Sequence, residues 1–225
     1  MQQTSEKIQL NHDKIRVINH PVILQNLCRM RDKDSDCQTV RIATRKITRI
    51  LLYEAAKNLP LIEQEISTPL ETYNALTINP DINIIISPIL RAGLIFTDEA
   101  IDILPQACIR HIGMYRDEKT LKPIWYYNKV PMEAVEPEKF YIYITDPMLA
   151  TGNSLLEAIN LYASKGIPQE QIKVISIIAA PEGIKNIQNK FPDVEIITAS
   201  LDRTLNEKGY ILPGMGDAGD RIFNT

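Results

Sequence analysis

Apolar residues recur every three to four positions over one long stretch near the N-terminus. The stretch runs from Val40 to Ala55, with apolar side chains at positions 40, 43, 47, 50, 51 and 55. A period of this length predicts an amphipathic helix that buries one face. Pro60 lies just beyond it, where a helix commonly ends.

Short apolar runs rich in β-branched residues follow, and their pattern is typical of strands. The first, Ile82 to Ile86, is preceded by Pro80 and Asp81 and followed by Ser87 and Pro88. Because this run carries so few polar side chains, it suits a strand covered on both faces. Four further strands are predicted, at Ile109–Tyr115, Phe140–Thr145, Ile172–Ala180 and Val194–Thr198.

Helical stretches lie between these runs, at Thr97–Ile103, Ser154–Lys165 and Glu182–Lys190. The alternation predicts right-handed βαβ crossovers, and therefore an α/β fold with a mainly parallel sheet flanked by helices. In such folds the ligand binds at the carboxyl ends of the strands. We expect residues 1–225 to form a single domain, because a chain of this length builds one core.

Two segments interrupt the alternation. Aromatic residues cluster between Trp125 and Lys129, and the flanking Pro123 and Pro131 predict a projecting hairpin arm at about 123–131 that packs against the domain or another subunit. Residues 202–225 form a long, irregular, glycine-rich tail. Long irregular segments in compact domains are usually functional.

Charge and cysteine content restrict the partners and the compartment. The formal net charge is −3, without a block of Lys or Arg, so we expect neither nucleic acid nor a membrane as a partner. The polar first eleven residues predict no export signal, and no run of 18 apolar residues occurs. Cys28, Cys37 and Cys108 match no zinc-binding spacing, which favours reduced thiols and a cytoplasmic location.

The strongest chemical signal lies where the strand ending at Thr145 meets the following helix. The connecting residues are Asp146, Pro147, Met148, Leu149, Ala150, Thr151, Gly152, Asn153 and Ser154. Free N–H groups at the start of a helix can bind a phosphate, and Gly152 lets the backbone approach it closely. Thr151 and Ser154 add hydroxyl donors, and Asp146 can accept from ribose hydroxyls.

On spacing alone an ordinary helix start, with Ser154 or Asn153 as the N-cap, explains this segment as well. The segment lacks the GxxxxGK[ST] pattern of a P-loop, and no GxGxxG follows a strand, so NTPases and dinucleotide-binding proteins are disfavoured.

An acidic residue at a strand end, followed by Thr-Gly, resembles the motif with which type I phosphoribosyltransferases bind phosphoribosyl pyrophosphate (PRPP). Most of these enzymes carry two adjacent acids, whereas Pro147 replaces the second acid here. The form Asp-Pro-Met-Leu-Ala-Thr-Gly is similar to that of the uracil phosphoribosyltransferases. Asn153 departs from the glycine that is common in the family at that position.

Three more segments resemble the same family. Ser87–Leu94 is similar to its pyrophosphate loop and contains Arg91, and His111–Glu118 is similar to its Gly-x-Tyr-Arg-Asp-Glu run and contains Arg116. Leu205–Phe223 looks like the family's uracil-binding tail, and the resemblance as a whole covers most of the chain from about His20.

The resemblance implies a reaction of uracil with PRPP that gives UMP and pyrophosphate, in an enzyme that works as a homodimer or larger homo-oligomer. It implies that PRPP is bound by Arg91, Arg116, residues 146–154 and Asp217, and uracil by Ile211, Gly216, Asp217 and Ala218. The implied catalytic residues are Arg91, Arg116, Asp146 and Asp217. Mg²⁺ would arrive with PRPP, and no side chain is assigned as its ligand.

Two other functions remain open at this point. One is a regulatory protein that uses the same scaffold to sense nucleotides and bind RNA, although a basic face is not visible in the sequence. The other is a phosphoribosyltransferase for a different base, which the uracil-like tail disfavours.

Overall fold

The computed structural model describes residues 10–116, 123–128 and 135–225. The first half contains β1 (Ile15–Val17), α1 (Pro21–Arg31), α2 (Cys37–Ala56), β2 (Leu61–Ser67), β3 (Thr72–Ile78), β4 (Asn83–Leu90), α3 (Thr97–Ile103), β5 (Cys108–Ile109), β6 (Ile112–Arg116) and β7 (Pro123–Asn128). The second half contains β8 (Phe140–Thr145), β9 (Met148–Leu149), α4 (Asn153–Ala163), β10 (Ile172–Ala179), α5 (Pro181–Lys190), β11 (Glu195–Leu201), β12 (Thr204–Leu205), β13 (Ile211–Leu212) and α6 (Ala218–Phe223).

One large sheet forms the centre of the molecule. Its strands lie in the order β1-β11-β10-β8-β4-β6-β7, with β5 beside β4 and β9 beside β10. Every pair in it is parallel except β6 with β7. The predicted α/β fold with a mainly parallel sheet is therefore confirmed.

Helices cover both faces of this sheet, because successive residues of its strands point to opposite sides. In β4, Ile84 and Ile86 pack with α1, α2, α3 and α6, whereas Ile85 packs with α4 and α5 on the other face. Both apolar clusters are continuous, and they explain why the strands read as unbroken apolar runs. No helix among the described residues is long and apolar enough to cross a membrane.

Several predicted elements are confirmed closely, and others need correction. The helix predicted around Val40–Ala55 is α2, and α3 and β8 have the predicted bounds. Strand β4 continues to Leu90, four residues beyond the predicted end, so the turn begins at Arg91 and not at Ser87. Pro88 indicated an end because it cannot donate to the ladder, yet the strand passes through it. The strand predicted at 109–115 is interrupted between β5 and β6.

The predicted hairpin arm has a different place in the fold. Pro123–Asn128 is β7, which pairs antiparallel with β6 at the edge of the main sheet, and residues 129–131 lie outside the described part. A second hairpin, which the sequence analysis did not predict, is formed by β2 and β3. Within the described residues these two strands pair only with each other, and every residue of β2 is exposed. The hairpin that stands apart from the sheet is therefore β2–β3.

The loops that follow β4, β8 and β10 lie at one edge of the sheet, since the three strands are parallel neighbours. The first two loops contain Arg91 and Asp146, and Glu182 lies in the first turn of α5, which begins just after β10. The tail after β11 is less irregular than predicted, because β12 and β13 form a small ribbon and α6 follows it.

Candidate active site

Two adjoining cavities open at this carboxyl edge of the sheet. The larger has a volume of about 340 Å³ and is lined by Ala92, Asp146, Met148, Ala150, Gly209, Tyr210, Ile211, Gly216, Asp217, Ala218 and Gly219. The smaller has a volume of about 120 Å³ and is lined by Asp146, Met148, Ala150, Thr151, Gly152, Asn153, Ser154 and Leu155. Asp146, Met148 and Ala150 line both, so the two cavities share one wall.

The smaller cavity lies at the start of α4. Gly152 is the N-cap residue, with φ +79°, and no side chain caps the helix. The ordinary N-cap by Ser154 or Asn153 is therefore absent, and the first residues of α4, Asn153, Ser154 and Leu155, line the cavity without a capping side chain. Uncapped N–H groups at the positive end of a helix are suited to an oxyanion such as a phosphate.

Helix α5 supports this loop from behind. A Cβ on Gly152 would lie 2.8 Å from the carbonyl oxygen of Gly183, and a Cβ on Gly183 would collide with the carbonyl oxygen of Ala150. The Asn186 amide donates to the Thr151 carbonyl and to the side-chain oxygen of Asn153, both at 3.0 Å. The sequence analysis missed Gly183 and Asn186, because nothing in a helical pattern shows which loop the helix touches.

Asp146 occupies the wall between the cavities and has an unusual electrostatic environment. Loss of hydration raises the pKa of its carboxyl to about 7, and one hydrogen bond from the Met148 N–H, at 3.2 Å, opposes that rise. The carboxyl is therefore poised to change protonation near neutral pH. A carboxylate at a shared wall can accept hydrogen bonds from a ligand that extends into both cavities.

Arg91 begins the turn after β4, and the Leu90–Arg91 peptide is cis. Its side chain is exposed, and the guanidinium lies 3.6 Å from a carboxylate oxygen of Asp220 in α6. A Cβ on Gly219 would be 3.8 Å from the same guanidinium and 3.2 Å from the Asp217 carboxylate. The turn and the tail therefore meet beside the larger cavity, and Arg91 has room to move toward a bound anion.

The tail supplies one side of the larger cavity. Ile211 is buried, whereas Gly216 and Asp217 are exposed to the cavity and Ala218 lies in the first turn of α6. Asp217 caps that helix by accepting the Asp220 N–H at 3.0 Å. All four residues that the resemblance implies in uracil binding therefore line the larger cavity.

Residues outside the tail hold it in place. Arg31 forms a two-point ion pair with Asp202 and bonds to the Gly214 carbonyl at 2.8 Å. Arg221 donates to the carbonyl oxygens of Met30 and Met215, at 2.6 and 3.1 Å. The sequence analysis assigned none of these residues a role, since Arg31 and its partners, like Arg221 and Met30, lie far apart in the chain and leave no mark in a local pattern.

Glu182, in the first turn of α5, ties down the beginning of the tail. One of its carboxylate oxygens accepts the Thr204 hydroxyl at 2.6 Å and the Leu205 N–H at 3.1 Å. Burial would raise the pKa of this carboxyl, but these hydrogen bonds bring the pKa below its ordinary value. Glu182 therefore remains a charged acceptor, and it is adjacent to Gly183, which packs against the loop before α4.

Three of the predicted site residues lie elsewhere or are described only in part. Leu149 is buried in the core, and the Pro147 carbonyl accepts the N–H groups of Ile177 and Ile178, so both residues pack the loop onto the sheet. Arg116 is the last residue of β6, and its side chain lies outside the described part of the structure. The other predicted residues of the 146–154 segment line one or both cavities.

Comparisons with known proteins agree with this geometry. A family model described as uracil phosphoribosyltransferase matches residues 17–225. The chain is 48% identical over 209 residues to the uracil phosphoribosyltransferase of Fervidobacterium nodosum, covering 93% of this chain and 98% of that protein.

Two solved structures are similar to the fold. The AQ2163 protein from Aquifex aeolicus superimposes with a TM-score of 0.84 at 36% identity, covering 93% of this chain and 97% of that one. The adenine phosphoribosyl transferase from Trypanosoma brucei superimposes with a TM-score of 0.55 at 12% identity, covering 93% and 91%, and shares the fold alone. With the family model matching nearly the whole chain, this protein belongs to the uracil phosphoribosyltransferase family.

Proposed function

We propose that this enzyme transfers the 5-phosphoribosyl group of PRPP to N1 of uracil, giving UMP and pyrophosphate. The observation that carries the proposal is the wall shared by an uncapped helix start and a cavity lined by the tail. A nucleoside monophosphate needs such a pair of sites, with its phosphate in one, its base in the other and its ribose between them. The named relatives and the family model support the choice of uracil as the base.

In the proposed reaction the bond from C1 of the ribose to the pyrophosphate oxygen breaks as the bond from C1 to N1 of uracil forms. The N1 proton is released. The loop from Thr151 to Ser154 would bind the 5′-phosphate, and Asp146 would accept from the ribose hydroxyls, so that C1 is held in line with the base. Negative charge develops on the leaving pyrophosphate, and Arg91 and Arg116 would stabilise it.

Mg²⁺ is part of this proposal as an ion bound to PRPP. Within the described residues no group of three or more His, Cys, Asp or Glu side chains is arranged to hold a metal. Mg²⁺ is usually held by one or two carboxylates together with substrate phosphates. Asp146 and Asp217 line the same cavity and are the carboxylates that would face it. The ion would supply positive charge to the diphosphate.

The proposed function is tested by measuring UMP formation from PRPP with uracil, cytosine, adenine and hypoxanthine, with and without Mg²⁺. We expect turnover with uracil and a requirement for Mg²⁺. Turnover of a purine base in place of uracil would contradict the proposal. No observation favours the RNA-binding regulator, and a gel-shift with pyrimidine-operon leader RNA would reveal it.

We also propose that the enzyme is a homodimer or a larger homo-oligomer in the cytoplasm. Leu70, Tyr73 and Leu76 of the β2–β3 hairpin are 95%, 56% and 67% exposed, and an apolar hairpin of this kind is typical of a surface that another subunit covers. The free cysteines suit a reducing compartment. Light scattering of the wild type and of Leu76→Glu tests the assembly, and a monomeric wild type would contradict it.

A further inference from the structure

A partly buried ion pair lies at the carboxyl end of β11, and neither of its residues lines the cavities. Arg31 is the last residue of α1, and its two terminal nitrogens donate to the two carboxylate oxygens of Asp202, at 2.6 and 2.7 Å. The Asp202 side chain is only 3% exposed. A guanidinium and a carboxylate in this two-point arrangement form one of the most strongly oriented contacts available to side chains.

The pair also binds both main-chain groups of one tail residue. The Gly214 N–H donates to Asp202 at 2.8 Å, and the Gly214 carbonyl accepts from Arg31 at 2.8 Å. Gly214 has φ +58°, a conformation that other residues rarely adopt. The ion pair therefore fixes the backbone on both sides of Gly214. A change in Asp202 releases its N–H, and a change in Arg31 releases its carbonyl.

Ser200 completes the network. Its hydroxyl donates to Asp202 at 2.7 Å and accepts from Arg31 at 2.9 Å. Burial would raise the pKa of Asp202, but the bonds from Arg31, Ser200 and the Gly214 N–H lower the pKa below its ordinary value. The carboxylate thus keeps its charge, and the network persists across the neutral pH range.

Residues just after Gly214 line the larger cavity. Gly216, Asp217 and Ala218 follow within four positions, and Met215 is held by its carbonyl bond from Arg221. The Arg31–Asp202 pair touches none of the cavity, yet it sets where this stretch of backbone begins. A shift of the Gly214 peptide would move the main-chain groups that face the base.

We propose that the Arg31–Asp202 pair is a positioning device for the base-binding stretch 214–218, and that it sets the affinity and selectivity for uracil without contacting either substrate. The inference rests on the proposed function of the tail. It separates uracil binding from phosphate binding, because α5, and not this pair, supports the loop at residues 151–154.

The chain offers a matched control at the other end of the same strand. Arg16 forms an ion pair with Glu195, the first residue of β11, at 2.8 Å, and its side chain is 28% exposed compared with 23% for Arg31. Arg16→Lys and Arg31→Lys each replace a planar guanidinium by a single ammonium next to a carboxylate. Only Arg31→Lys releases the tail, so a general loss of stability affects both variants alike.

The test measures kcat and both KM values for the wild type and the two variants, with uracil and cytosine as bases. We expect Arg31→Lys to raise the KM for uracil about 10- to 100-fold, because charged hydrogen bonds to the tail are lost. The KM for PRPP should rise clearly less, because Asp217 is the one residue of the stretch 214–218 that is also assigned to PRPP. The preference for uracil over cytosine should fall by about tenfold. Arg16→Lys should change neither.

Hydrogen exchange of the tail amides provides a second readout that does not depend on turnover. We expect faster exchange over residues 210–219 in Arg31→Lys and unchanged exchange there in Arg16→Lys. Ser200→Ala, which keeps the ion pair and removes one donor to Asp202, should give a smaller rise in the uracil KM and serves if Arg31→Lys does not fold.

The outcomes separate the two proposals. If the wild type forms no UMP, the proposed function fails, while faster tail exchange in Arg31→Lys still supports the positioning role. If the wild type is active and the uracil KM is unchanged in Arg31→Lys, or rises equally in Arg16→Lys, the positioning role is overturned. A PRPP KM that rises as much as the uracil KM overturns it as well.

Discussion

Gly152→Ala should remove PRPP binding while the fold persists, because the added methyl group has no space behind the loop. At Gly152 a Cβ would lie 2.8 Å from the Gly183 carbonyl oxygen, so the two segments must separate by about 0.6 Å to reach the 3.4 Å of ordinary contact. The positive φ of +79° adds a conformational cost of about 1–2 kcal/mol. A phosphate site displaced on this scale loses about 100-fold in affinity.

A glycine beyond the other end of α4 supplies the control. Gly166 follows α4 with φ +82°, and a Cβ there would meet only Pro137, at 3.5 Å. Gly166→Ala therefore carries a similar conformational cost without the collision. Calorimetric titration with PRPP and Mg²⁺ should show weakened binding only in Gly152→Ala, with both variants folded at the titration temperature. Equal PRPP affinity in the two variants would refute the assignment of the loop.

The remaining predictions concern charge and base selection. Arg91→Ala should lower kcat about 100-fold or more with little change in the KM for uracil, because it acts on charge that develops in the transition state; a parallel loss in uracil affinity would contradict that role. The pKa of Asp146, raised to about 7, predicts that PRPP affinity increases as pH rises through 7 and the carboxylate forms, and that Asp146→Asn loses this dependence in binding titrations from pH 6 to 8. Uracil should be preferred over cytosine by about 10⁴-fold in kcat/KM, since cytosine reverses the donor and acceptor at positions 3 and 4; cytosine within tenfold in competition assays would be inconsistent with a backbone-lined site.

Much of the fold could be predicted because buried strands and amphipathic helices carry periodic signals. Strand β8 and helix α3 were located to the residue, although only Glu99 and Ala100 of α3 and the last four residues of β8 are buried. The β2–β3 hairpin gave no such signal, because its strands are exposed and pair only with each other among the described residues. Helix α1 was missed as well, and one of its four buried residues is the polar Asn26, which interrupts the apolar pattern.

In the site too, residues that belong to a local motif could be predicted, whereas residues that act through distant contacts could not. The segment 146–154 and the tail were recognisable because nearly all residues that line the smaller cavity are consecutive, and those that the tail contributes to the larger cavity form two short runs, 209–211 and 216–219. The supporting residues were not, because each acts through a contact across the fold, as Asn186 does on Thr151 and Arg31 on Gly214. Local motifs indicate which ligand groups are bound, and tertiary contacts determine how firmly the motif is held.

The first turn of α5 contacts both the loop that lines the smaller cavity and the start of the tail. Gly183 packs against the loop that lines the smaller cavity, and the adjacent Glu182 holds Thr204 and Leu205 at the start of the tail. These residues follow β10 directly, so their position is fixed by a strand that is buried throughout. A rigid element that touches both loops keeps the distance between phosphate and base constant, and a constant distance is what the transfer of a sugar between two bound groups requires.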